Sequence, residues 1–404
     1  MLPGEELNGD NSEGKLENSE SHEQKILSSF DLVTEILSRL PVKSLLRFKS
    51  VSKSWLALIC SPKFIKSHMS LSANNNMDYT NHRVLLWIPQ PEFNIKDYSL
   101  KSLLYDESII EESDLDYPMK SSSIYVFIEG SVNGLICLVN GEKEIFLWNP
   151  SIRKYKKLPD FGSNSRKSDG FVYGLGYDEI YDDYKVVRMF TMIGRHDTQE
   201  VDIYSLKNDS WRRIDCPQNG PRLISSGKFV NRKLHWATTA GLGFERGWNI
   251  TSFDLADEKW RNVDRPCYGE QNGTLVLGVF GSNLSAICSN PTNHVDVWYM
   301  KEYGEKQSWI KMFTINYTPD PVGYLFSQSF YLSKRGEFLL MLDDTFMIYN
   351  PNDNSLRFPK CPKFDCGLLA GIYIESLEVS YLTAIYLSVA DCMNLDDEAW
   401  QSPR

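Results

Sequence analysis

The sequence predicts a mainly β chain with a small N-terminal α module, the β part closing as a propeller of six blades. Three observations predict it. Apolar residues recur at helical spacing between Ile26 and Met69. From about residue 81 onward, strand-like runs of four to seven residues alternate with turns rich in Asn, Asp, Gly and Pro. In that second part a unit of near fifty residues recurs, with Trp211, Trp260 and Trp309 at a constant interval.

The helical module comes first. Leu32, Ile36, Leu37 and Leu40 fall on one helix face, and Pro41 ends that helix. Val42, Leu45, Leu46 and Phe48 form a second short apolar set. Val51, Trp55, Leu58 and Ile59 form a third, stopped by Ser61-Pro62. About forty residues are too few to bury a stable core alone. The helices carry more apolar surface than so small a bundle covers, which marks a docking module for another protein's helices.

Charge divides the same way. The chain has a net charge of −10, which argues against a nucleic-acid partner. Residues 1–25 carry seven acids against Lys15 and Lys25 and are expected to be disordered, with no apolar signal segment. Residues 26–70 reverse the sign, with Arg39, Lys43, Arg47, Lys49, Lys53, Lys63 and Lys66 against Asp31 and Glu35. That basic stretch suits an acidic partner.

The longest apolar run, Tyr381 to Ala390, is about half a membrane span, so no membrane association is expected. Eight cysteines show no CxxC pair and no Cys/His cluster, so they read as reduced core residues in cytoplasm or nucleus. No metal and no cofactor are expected. The chain divides into an acidic tail (1–25), the helical module (26–70), a polar linker (71–82), the repeat domain (83–390) and a second acidic tail (391–404).

The repeats are clearest at EIFLWNPSIRKYKKLPD from Glu144, EVDIYSLKNDSWRRID from Glu200, NITSFDLADEKWRNVD from Asn249, HVDVWYMKEYGEKQSWIKM from His294 and DTFMIYNPNDNSLRFPK from Asp344. Each is a β run, a polar turn and a second run opened by Tyr155, Trp211, Trp260, Trp309, or Leu356 with Phe358. A weaker pair of runs precedes each. Four strands in a period near fifty is propeller spacing, closest to kelch. The three tryptophans are expected between blades rather than on a ligand. RVLLWI (83–88) with residues 369–390 supplies a sixth blade, and the closing strand is expected in YLTAIYLSVA (381–390), where pairing with the first strand leaves no free edge.

Both parts resemble one plant family. Asp31, Leu32, Glu35, Ile36, Leu37, Leu40, Pro41, Leu45, Leu46, Val51, Lys53, Trp55, Leu58 and Ile59 match the F-box pattern over thirty residues. One departure is Ser28-Ser29, followed by Phe30, where the family opens with Leu-Pro; it implies reduced adaptor affinity. SVNGLICL, IFLWNPSIRKYKKLP, GLGYD, DYKVVR and GKFVNRKLHW resemble the F-box-associated, kelch-like domain of plant F-box proteins. The resemblance implies a substrate receptor of an SCF-type ubiquitin ligase. Leu32, Ile36, Leu37, Pro41, Leu45, Leu46, Val51 and Trp55 would bind a Skp-type adaptor and through it a cullin-RING arm. Propeller loops would bind a target protein. Two alternatives share the pattern: an S-locus-type F-box protein recognising pistil ribonucleases, and a ligand-binding propeller with a vestigial F-box.

No catalytic pattern appears: GxSxG, HExxH and GxxxxGK[ST] are absent. GLGFERG (241–247) has the wrong glycine spacing for a dinucleotide. His235, within KLHW, reads as a satisfied core residue, and Asp182-Asp183 and Asp343-Asp344 as turn formers. Target contacts are expected from 161–170, 191–199, 240–248 and 266–273.

Overall fold

The middle strands of the repeat domain are apolar on both faces, and this turns the repeats into a ring. In a strand, successive side chains point to opposite faces. A strand buried throughout, such as HRVLLWI, therefore needs a neighbour on each side. The computed structural model describes residues 29–74, 79–88, 94–105, 112–118, 120, 125–141, 143–160, 171–191, 199–216, 222–239, 248–266, 275–290, 294–316, 331–333, 335–342, 345–359 and 369–378.

Four helices open the chain: α1 (Ser29–Ser38), α2 (Val42–Phe48), α3 (Lys53–Ile59) and α4 (Pro62–Asn74). Pro41 occupies the N-cap of α2, where its missing N–H costs nothing. The Ser52 hydroxyl caps α3 by accepting from the Trp55 N–H at 3.2 Å. Ser61 does the same for α4 through the Phe64 N–H, with Pro62 at the first helical position. Ser61-Pro62 thus ends one helix and starts another. The fourth helix covers residues 71–74, the opening of the expected linker.

Among the described residues, twenty-four strands follow as six four-stranded antiparallel sheets. Blade one contains β1 (His82–Ile88), β2 (Asn94–Ser99) and β3 (Glu112–Leu115), with helix α5 (Leu100–Tyr105) between the last two. Blade two is β4 (Val126–Val132), β5 (Leu135–Asn140), β6 (Ile145–Asn149) and β7 (Lys154–Lys157). Blade three is β8 (Phe171–Asp178), β9 (Asp183–Thr191), β10 (Gln199–Ser205) and β11 (Ser210–Ile214). Blade four is β12 (Arg222–Val230), β13 (Lys233–Thr239), β14 (Trp248–Asp254) and β15 (Trp260–Val263). Blade five is β16 (Leu275–Phe280), β17 (Asn283–Asn290), β18 (His294–Met300) and β19 (Trp309–Asn316). Blade six is β20 (Tyr331–Leu332), β21 (Phe338–Leu342), β22 (Thr345–Asn350) and β23 (Ser355–Arg357). The last strand, β24 (Leu369–Ile374), joins blade one as its inner strand.

The ring therefore closes earlier than expected. β24 pairs with β1 from His82↔Ile374 to Trp87↔Leu369. The strand that follows blade six's outer strand takes the open inner edge of blade one, so 381–390 is not the closing segment; those residues lie outside the described ones. Arg83 on β1 donates to Asp97 on β2 at 2.6 and 2.9 Å. The Tyr373 hydroxyl on β24 lies 3.4 Å from the same carboxylate. The Tyr373 hydroxyl thus ties the last strand to a buried ion pair at the start of the domain, and removing one partner of that pair would leave a costly charge behind.

Six apolar clusters fill the wedges, each built from two neighbouring blades. Leu85 and Trp87 face blade two, while Val84, Leu86 and Ile88 face blade six. Trp211, Trp260 and Trp309 hold equivalent positions on the outer strands, opposite Tyr204, Phe253 and Met300. Each indole N–H donates to a carbonyl just past the preceding blade's outer strand: Pro159 at 2.8 Å, Asp215 at 2.9 Å and Asp264 at 2.7 Å. Trp309 is buried; Trp211 and Trp260 are half-buried, because the rim of the ring leaves one ring edge to solvent. The expected role between blades holds, with a hydrogen bond at the rim added to it. Tyr155 and Leu356 occupy the same register position and stay exposed.

His235 is fully buried. Its Nδ1 meets the Lys228 carbonyl at 3.2 Å and its Nε2 the Tyr303 hydroxyl at 2.7 Å, and burial holds its pKa down at about 4. It is a satisfied core residue. Asp182 sits in the β8–β9 turn at φ 52. Asp183 accepts from the Ser205 hydroxyl and the Lys207 N–H across the neighbouring turn. The Asp343-Asp344 pair and GLGFERG lie outside the described residues. Among the described residues, Cys137 and Cys288 are buried thiols and Cys60 and Cys216 half-buried ones.

Candidate functional site

The helical module sorts its apolar residues into two sets. Leu37, Val42, Leu45, Ile59, Phe64 and Ile65 form its own core, with Val33, Leu40, Leu46, Phe48, Trp55 and Leu58 packed around them. Phe48 and Trp55 meet edge to face at 5.5 Å. The His68 ring reaches back from α4 to the Leu40 carbonyl at 2.8 Å, and burial lowers its pKa. The second set points outward: Phe30 (56% exposed), Leu32 (48%), Ile36 (61%) and Val51 (58%). Pro41 is exposed beside them in sequence.

This division revises the eight residues expected to meet an adaptor. Leu32, Ile36, Pro41 and Val51 are on the surface. Leu37 (1% exposed) and Leu45 (0%) are inside the module and cannot touch a partner while it is folded. Leu46 and Trp55 are half-buried against the same core. The periodicity gives the apolar stripe of each helix. It does not say which half of a wide stripe faces the sister helices. Phe30, absent from the expected set, stands exposed at the start of α1, next to Ser29, which this chain has in place of the pattern's proline.

The module also exposes charge. Lys43, Arg47, Lys53 and Lys63 are exposed. Arg39 is held by Glu35 one turn earlier on α1, Nε to Oε1 at 3.0 Å.

The back of the module rests on the propeller. Leu377 completes the helical core, and Ile152 packs against it. Lys66 on α4 pairs with Asp182 of the β8–β9 turn at 2.9 and 3.0 Å. These contacts fix which end of the propeller the module covers. In antiparallel blades the first-to-second and third-to-fourth connections emerge on one face, and the others on the opposite face. Ile152 lies in the β6–β7 turn, Asp182 in the β8–β9 turn, and Leu377 just past the end of β24. All three belong to the face with tight turns, such as Asn133–Gly134 and Asn231–Arg232.

Four of the longer connections leave the other face: 158–170 between β7 and β8, 192–198 between β9 and β10, 240–247 between β13 and β14, and 264–274 between β15 and β16. The four segments expected to contact a target map onto these connections. They lie almost wholly outside the described residues, but the strand ends that carry them open away from the helical module. Among the described residues no group of three or more His, Cys, Asp or Glu side chains is placed to hold a metal ion. Nor, among the described residues, is any helix long and apolar enough to cross a membrane.

Comparisons agree with both parts. Residues 29–67 match the model of the F-box domain, and residues 76–366 that of the F-box associated beta propeller domain. F-box/kelch-repeat protein At3g23880 of Arabidopsis thaliana is 30% identical over 354 residues, covering 86% of this chain and 94% of its own length. F-box protein CPR1 of the same plant is 31% identical over 366 residues, covering 82% and 84%.

Proposed function

The chain belongs to the F-box proteins that carry an F-box associated β-propeller domain, and from that premise we propose that it is the substrate-recognition subunit of an SCF-type ubiquitin ligase. The observation that carries the reading is the outward set Phe30, Leu32, Ile36 and Val51 on a module whose own core is already filled. Exposed apolar residues on a module that also exposes Lys43, Arg47, Lys53 and Lys63 fit an acidic helical partner, which is what a Skp-type adaptor supplies. Phe30 offers apolar surface where the family pattern has Leu-Pro.

The chain makes and breaks no bonds in this role. It brings target lysines close to the ubiquitin-conjugating enzyme carried by the cullin-RING arm, raising their effective concentration. The target docks on the connections facing away from the F-box, so adaptor and target do not compete for one surface. The complex works in the cytoplasm, the nucleus or both.

The test is co-precipitation of a purified Skp-type adaptor with the full chain, with mass spectrometry of the proteins retained from plant extract. Ile36→Asp places a charge in an exposed apolar patch and leaves the module's core intact. The reading expects adaptor capture by the wild type and at least a tenfold loss in Ile36→Asp, with unchanged circular dichroism. Equal capture by both would overturn the assigned face.

A further inference from the structure

Four residues past the ring-closing strand hold the helical module in place. Leu377, 1% exposed, is buried among Leu37, Val42, Leu45, Ile59, Phe64 and Ile65. It comes from more than three hundred residues away in sequence, and the F-box core contains it as a full member.

The segment around Leu377 is itself anchored on blade two. Asn149, at the end of β6 and fully buried, points its Nδ2 at the Ser376 carbonyl (3.2 Å), the Ser376 hydroxyl (3.1 Å) and the Glu378 carbonyl (3.1 Å). The Asn149 Oδ1 accepts from the Ser151 N–H at 3.0 Å, and the Ser151 hydroxyl from the Ser376 N–H at 3.3 Å. The Glu375 N–H donates to the Asn81 carbonyl at 2.8 Å, and the Asn81 side chain to the Ser72 hydroxyl of α4 at 3.0 Å. Below the segment, Gly134 takes φ +83, and a Cβ there would stand 2.2 Å from the Ser376 hydroxyl. One short stretch is thus bonded to blade two and to the chain entering blade one, which is itself bonded to α4, while its one large apolar side chain fills the F-box.

We propose that residues 375–378 are a positioning strut: Leu377, locked by Asn149, fixes the F-box against the propeller, so that adaptor and target are held at one separation and orientation. A flexible tether would let the target face wander. A strut that begins at the ring-closing strand couples the F-box's seating to closure of the ring. Leu377 and Asn149 are positioning residues, not contacts of adaptor or target. The part of the proposal that concerns ubiquitin transfer rests on the function proposed above.

The experiment measures the distance between spin labels attached through bioorthogonal amino acids at positions 53 and 259, both exposed lysines, in the full chain. The wild type is expected to give one narrow distribution. Leu377→Ser and, separately, Asn149→Ala are expected to at least double its width while the propeller's melting temperature is kept. Leu377→Met should restore the narrow distribution. Asn149→Ala leaves the F-box core composition untouched, so it decides the matter if Leu377→Ser loses helical signal. An unchanged width in folded Asn149→Ala overturns the strut.

A second arm reconstitutes the ligase and maps self-ubiquitinated lysines. The strut predicts adaptor affinity within about threefold of wild type in Asn149→Ala, with modification spread to at least twice as many lysines. An identical lysine pattern overturns the positioning role. A wild type that captures no adaptor overturns the ligase reading alone, because the distance measurement judges the strut without any adaptor.

Discussion

Set side by side, the helical module and the propeller differ in where their apolar surface goes. In the propeller each blade buries one face on the blade before and the other on the blade after, and β24 returns to pair with β1, so the ring satisfies itself. The helical module satisfies itself on no side. Its core borrows Leu377 and Ile152 from the propeller, and its outer face leaves Phe30, Leu32, Ile36 and Val51 in solvent. The difference is one of size and closure. Six sheets around an axis have no ends. Four short helices have two open faces, one given to the chain's own propeller and one left for a partner.

The comparison breaks most visibly if the ring can do without its last strand. A chain ending at residue 368 lacks β24 and Leu377, leaving the inner edge of β1 unpaired and Arg83 without the Tyr373 wall. It should fail to fold, both parts together, and aggregate. A chain ending at Ser380 keeps both elements and should match the full chain in melting temperature and protease resistance. Equal behaviour of the two truncations would remove β24 from the closure.

The next effect is at the rim. Trp309→Ala deletes a buried indole from the blade four–five wedge and its hydrogen bond to Asp264. It should cost about 3–5 kcal/mol of stability. Chemical denaturation checks it. Trp309→Phe keeps most of the apolar filling, so it should recover more than half.

Within the module the two sets of residues should respond oppositely. Leu45→Ala should cost about 2–5 kcal/mol, because it opens a cavity in a core of few residues. Ile36→Asp, on the exposed face, should change stability by no more than about 0.5 kcal/mol and lose adaptor binding. Thermal melts with adaptor titration separate them; a stable Leu45→Ala would show that the module's core is not where it appears.

The smallest expected effect is electrostatic and belongs to the propeller. Burial holds His235 and His82 at pKa about 4. Folded, they stay neutral, while the unfolded chain takes up a proton near pH 6.5. Stability from each is therefore present above that pH and falls as pH drops toward 4, by about 1 kcal/mol between pH 6.5 and 5.5. Glu129, whose carboxyl burial pushes up, acts in the opposite sense. His235→Gln should flatten the slope of stability against pH across that unit by about 1 kcal/mol. An unaltered slope would mean that His235 is protonated in the fold.

What the sequence determined by itself is everything carried by local periodicity. The alternation of β runs and turns, and the constant interval of Trp211, Trp260 and Trp309, gave four strands per blade and five of the repeats, because side-chain direction repeats every two residues and each blade repeats the same run of strands and turns. The F-box helices and their breaks at Pro41 and Pro62 were legible for the same reason. Only the tertiary structure decided the rest. It chose β24 over residues 381–390, since closure depends on which segment reaches the open edge of blade one. It put Leu37 and Leu45 inside and left Leu32 and Ile36 out, since a helix's apolar stripe is wider than any one neighbour. It recruited Leu377, which carries no local signal at all. Its burial exists only because the end of β24, the β6–β7 turn and the F-box helices meet at one face of a closed ring.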